Sequence, residues 1–210
     1  MNALLLPLFT LTLGLSALLL FWVQPLFARL TLPLLGGAPA VWITAMLFFQ
    51  AALLAGYLYA HLSVRWLGMK RQSLLHGLVL LSAFAVLPIA LPEGWAPPPG
   101  AMPVGWQLAV MAAGVGLPFF AVSATAPLLQ RWFAHTGHAE SANPYFLYSA
   151  SNIGSIAALL GYPVLFEPLM GLVEQGLVWT LAYLALVGLI ALCGLLMWRR
   201  FVPHPPAGAS

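Results

Sequence analysis

Six times along the chain an apolar run reaches the length of about 20 residues that a helix needs to cross the hydrocarbon core of a bilayer. The runs cover residues 3–27, 38–61, 73–91, 104–124, 144–166 and 172–198. They use nearly the whole sequence and leave nothing between them large enough to fold alone. Any activity must therefore sit among the helices or be borrowed from a partner. The expected fold is all-α: a polytopic membrane domain of six transmembrane helices over residues 1–202, followed by a polar, Pro-rich tail at 203–210.

Composition agrees with that assignment. The chain of 210 residues is 62% hydrophobic and 5% charged and contains no Asp, where soluble domains average about 25% charged. Its formal charge of +3 comes from seven Lys and Arg placed at helix ends rather than on one face, so it carries no nucleic-acid signal. The first run is a span rather than a signal peptide: no cation precedes it, it is too long for a signal sequence, and Arg29 follows it.

The cations set an orientation. Arg65, Lys70, Arg71, Arg131, Arg199 and Arg200 fall on one side of the six expected spans, while Arg29, Glu93, Glu167 and Glu174 fall on the other. The positive-inside rule makes the first side cytoplasmic, with both termini on it. Trp95 and Trp106 on one side, and Trp66, Trp132 and Trp198 on the other, suit interfacial belts. The segment 92–103 has too much Pro and Gly to continue either neighbouring helix. The single Cys193 lies in an apolar run, where it packs as a small hydrophobe.

The fifth run is the most polar. Asn143 and Pro144 suit an N-cap and first turn. From there Tyr145, Tyr148, Asn152 and Ser155 fall at helical spacing on one face, and Tyr162 extends the stripe. Gly154, Ala158 and Gly161 offer small positions where another helix can approach closely. Two readings stand side by side: hydrogen-bonding contacts between helices, or the wall of a polar cavity completed by Gln24, Gln50, Tyr57, Tyr59, Ser123 and Thr125. Lipid satisfies no amide, so Tyr148, Asn152 and Ser155 are expected to face the bundle interior, with Gln24 or Gln50 in reach.

Ionisable groups inside a membrane are functional candidates by default. Glu167, at the outer end of the fifth run, is either a cation ligand or an interfacial carboxylate. His61 and His76 are either a pH-sensitive pair across a turn or ordinary interfacial histidines. His135, His138 and Glu140 form at most a sparse metal clip in a loop. No zinc, nucleophile-elbow or phosphate-loop motif occurs, and no cofactor is expected. The chain is not expected to be an enzyme on its own.

The stretch "GYLYAHLSVRWLGMKRQSLLHG", residues 56–77, resembles in outline the loop between helices two and three of major facilitator transporters, with His61 near the place of that motif's missing acidic residue. Residues 21–61, beginning "FWVQPLFARLTLPLL", and 141–172, beginning "SANPYFLYSASNIGS", resemble the membrane region of bacterial fused major-facilitator/spermidine-synthase-like proteins. The resemblance covers nearly the whole chain but not the synthase domain, for which this sequence has neither a Rossmann-like glycine loop nor acidic ligands.

It implies one half of a major facilitator fold in the bacterial inner membrane. A second such half would then complete it, as a homodimer or through a partner membrane protein, with a separately encoded cytoplasmic synthase-like subunit as a further partner type. The implied role is a transport-like or substrate-channelling membrane subunit for a small polar or cationic solute, polyamines included. Gln24, Gln50, Tyr145, Tyr148, Asn152 and Ser155 would line the site and Glu167 would stand at its mouth. The alternative role is a scaffold that anchors a partner.

Overall fold

The computed structural model describes residues 2–91, 94–95, 103–142 and 145–201. The N-cap expected at Asn143, most of the 92–103 segment and the 203–210 tail lie outside the described residues. Within them the chain is helical without a strand: α1 (Asn2–Leu35), α2 (Pro39–Ser82), α3 (Pro103–Met111), α4 (Leu117–Ala134), α5 (Tyr145–Gly161), α6 (Glu167–Leu169) and α7 (Leu172–Arg200). Two π-helical turns, Ala112–Gly116 and Tyr162–Phe166, join α3 to α4 and α5 to α6. Each turn is followed or entered by a proline, Pro118 or Pro163, whose missing N–H disturbs the regular ladder.

Five helical rods are long and apolar enough to cross a membrane: Leu4–Leu35, Pro39–Val86, Val104–Ala134, Tyr145–Leu169 and Leu172–Arg200. The difference from the sequence expectation lies in α2. Residues 62–72, expected as a loop, are helical except at Gly68, whose φ of 70° and ψ of 171° break the rod. A positive φ of this kind is open to glycine at little cost. On a straight rod Tyr59 and His76 would stand roughly 25 Å apart at ~1.5 Å per residue, yet their ring centroids are 6.1 Å apart. The chain therefore doubles back at Gly68, and two arms, 39–67 and 69–82, lie side by side.

α1 and the α3–α4 rod make the middle of the bundle. Leu5, Phe9, Leu13, Leu19, Trp22 and Leu26 of α1 are all buried. The α3–α4 rod is the most enclosed of the five, with Phe119, Val122, Leu128, Leu129, Trp132 and Phe133 buried, whereas the α5–α6 rod is largely exposed. The small positions of α5 do admit another helix: a Cβ on Gly154 would overlap the backbone carbonyl of Gly14 in α1. Main chains in van der Waals contact replace the side-chain interlock of a soluble bundle. The opposite ends of the bundle are tied separately. Arg29 meets Glu167 at 2.8 Å at one end. At the other, Trp198 donates to the Ser73 hydroxyl at 2.8 Å and Lys70 lies 5.9 Å above the Phe201 ring.

Candidate functional site

The expected interior stripe points the other way. α5 buries Leu147, Ala150, Gly154 and Ala158, whereas Tyr145 is 74% and Tyr148 51% exposed, and Asn152 is exposed as well. Ser155 is half-buried and turns its hydroxyl to the Ser151 carbonyl of its own helix at 2.9 Å. Gln24 likewise donates to its own helix, at Leu20 O, 3.2 Å. Gln50 and Tyr57 are exposed on the first arm of α2. No shared network forms among Gln24, Gln50, Tyr148, Asn152 and Ser155 within the described residues. The physical reason is packing: the glycine and alanine face gives the closest approach to α1, which turns the tyrosines and Asn152 outward. Of the extended stripe only Tyr162 is buried, four residues beyond Ala158 on the same face and beside Arg29 of α1.

A polar cluster forms instead where both arms of α2 meet α4. Gln72 and His76, one turn apart on the second arm, are wholly buried. The Trp132 indole N–H donates to Gln72 Oε1 at 2.9 Å. His76 Nε2 lies 3.2 Å from Thr125 Oγ1, and that hydroxyl donates to Ala121 O at 3.1 Å. Tyr59 comes in from the first arm, its hydroxyl beside the Gln72 carboxamide. Ser123 packs directly on Gly56, where a Cβ would overlap its hydroxyl. Three buried polar atoms of this cluster, Tyr59 Oη, Gln72 Nε2 and His76 Nδ1, have no protein partner.

Two sequence expectations are corrected by this cluster. His76 is a core residue beside Thr125, neither paired with His61, which is exposed, nor at an interface. Trp132 is buried at 1% exposure rather than belted at an interface. The i,i+4 spacing of Gln72 and His76 was the available signal; it was obscured because residue 72 fell in an expected loop.

At the other end, Glu167 is engaged by Arg29, each side chain 41% exposed. The pair closes over Tyr162, whose hydroxyl neighbours Arg29. Trp22 stacks on Phe166 with centroids 4.0 Å apart and planes at 9°. Gln175 donates to the carbonyls of Phe166 and Met170, at 3.3 and 3.0 Å, and so holds the end of the α5–α6 rod against α7. In contact with Arg29, Glu167 ties the end of the α5–α6 rod to α1.

Cys193 is buried with its sulfur 3.5 Å from Thr12 Oγ1. His138 Nδ1 accepts the Glu140 backbone N–H at 3.1 Å, and His135 stacks on Phe201. No group of three or more His, Cys, Asp or Glu side chains converges among the described residues. A groove of about 700 Å³ between the second arm of α2 and α7, lined by Gly77, Leu78, Ile190, Ala191 and Gly194 among others, is almost wholly apolar. Comparison of the chain with protein-family models, with curated proteins and with solved structures finds no match.

Proposed function

We propose that the chain is an integral membrane subunit of a transport-like system for a small polar or cationic solute, and that the outward polar face of α5 is completed by a second copy. If each arm of α2 crosses the membrane, the spans number six, as in half of a major facilitator fold. The cation distribution then puts both termini in the cytoplasm of a bacterial cell, by the positive-inside rule. The supporting observation is Asn152. It is exposed on a helix of membrane-spanning length and hydropathy, and its side chain has no hydrogen bond to the described residues. An unpaired amide in hydrocarbon costs several kcal/mol, so this face requires a polar counterpart. A second copy supplies one with the same donors and acceptors across a two-fold axis.

The test is oxidation in native membranes of a chain carrying Cys193→Ala and Asn152→Cys. A covalent dimer is expected, while Leu184→Cys on α7 in the same background stays monomeric. Asn152→Cys remaining monomeric while Leu184→Cys cross-links would place the contact elsewhere. Uptake of polyamines and other small polar solutes into proteoliposomes then tests the transport role. A dimer without uptake, weakened by Asn152→Ala, favours the scaffold role.

A further inference from the structure

We infer that the junction of the two arms of α2 with α4 is a hydration site: one internal water molecule bound by Gln72, His76 and Tyr59, inside the subunit and independent of any pairing through α5. The assignment follows from donor and acceptor accounting. The Trp132 indole nitrogen is only a donor, so its contact of 2.9 Å fixes Oε1 as the side of the Gln72 carboxamide that faces it. Both hydrogens of Gln72 Nε2 are left over, on a side chain with 0% exposure.

Thr125 has one hydroxyl proton, which we assign to Ala121 O at 3.1 Å rather than to His76 Nε2. Its oxygen then meets His76 Nε2 as an acceptor, at 3.2 Å. The imidazole consequently carries its proton on Nε2, and Nδ1 presents a lone pair inside the protein, also without a partner. Tyr59 brings a hydroxyl that both donates and accepts; it lies near the Gln72 amide without meeting the geometry of a hydrogen bond to it.

Donor, acceptor and two-way group together match one molecule. A water accepts from Gln72 Nε2, donates to His76 Nδ1 and exchanges a hydrogen bond with Tyr59 Oη, meeting the three obligations that internal waters typically satisfy. Gln72 and His76 stand one helical turn apart and the Tyr59 and His76 ring centroids are 6.1 Å apart, which brings the three groups together. A metal ion does not suit the set, because the Gln72 amide group facing the site is a donor and no carboxylate or thiolate belongs to the cluster.

The experiment uses the full chain in lipid nanodiscs with His61→Gln, His135→Gln, His138→Gln and His204→Gln, so that the ¹⁵N-histidine signals come from His76 alone. The expected spectrum is that of a neutral ring protonated on Nε2 with Nδ1 hydrogen-bonded, and with magnetisation passing from water protons to the ring. Tyr59→Phe removes one ligand and should shorten the residence time of that water at least tenfold without changing the tautomer. A ring protonated on Nδ1, or no transfer from water in the folded chain, overturns the assignment. An unchanged residence time in Tyr59→Phe removes Tyr59 from the site. If the four-fold variant does not fold, Tyr59→Phe and Gln72→Met in the otherwise unchanged chain are compared with the wild type. Water transfer to histidine that neither substitution reduces overturns the site.

Discussion

Replacing Gly154 with alanine adds a single methyl group at the tightest contact between α1 and α5. That methyl would meet the carbonyl oxygen, carbonyl carbon and Cα of Gly14, all main-chain atoms on a buried helix. No rotamer change relieves such a contact, so the helices must separate. Overpacking of this kind costs about 1–3 kcal/mol. Against it stands the gain of roughly 0.5–1 kcal/mol from replacing glycine inside a helix. Gly188→Ala in α7 supplies the control, because nothing lies within 4 Å of the position its Cβ would take. The propensity gain is common to both variants and cancels in their difference, leaving about 1–3 kcal/mol between them. For a chain of this size that is a separation of roughly 2–12 °C in melting temperature. Thermal unfolding of both proteins in one detergent, followed by tryptophan fluorescence, measures it. Equal melting temperatures would refute the claim that α1 and α5 touch through their main chains at this position.

Three further substitutions probe the ties between helices. Trp132→Phe keeps an aromatic ring but leaves Gln72 Oε1 buried without its donor, and should destabilise the fold by about 1–3 kcal/mol in the same assay. Tyr183→Phe loses the buried bond of 2.9 Å to Leu80 O, for a loss of about 0.5–1.5 kcal/mol. Glu167→Gln breaks an ion pair whose side chains are each 41% exposed, so the loss should be only about 0.2–1 kcal/mol; melting in low and high salt should show it shrinking as ionic strength rises.

The apolar runs were legible because lipid imposes a length on each span, and the small face of α5 was legible because Gly154 and Ala158 have few other uses in such a helix. The direction of the polar stripe was not. In a soluble helix a face that differs from its surroundings can be assigned to core or solvent, but a membrane bundle can be apolar both inside and out. Tyr148 and Asn152 therefore marked a distinct face without indicating whether it turned inward. Gly68 was hidden for a different reason: Arg65, Lys70 and Arg71 read as loop residues although each is helical. The cluster around His76 could have been found from Gln72 one turn earlier, had that turn been taken as helix. Glu167 and Arg29 were placed on the same side from charge alone, but their contact depends on how α1 and α5 cross.

The one-residue turn at Gly68 bears on how the chain is made. If both arms cross the bilayer, as proposed above, they would enter it as a single hairpin, because Arg65, Lys70 and Arg71 flank the bend and parting the arms would draw these cations through hydrocarbon. An epitope or protease site spliced between residues 67 and 69 would replace the bend rather than lengthen a loop. A reporter placed there would record the disruption of the hairpin instead of its sidedness.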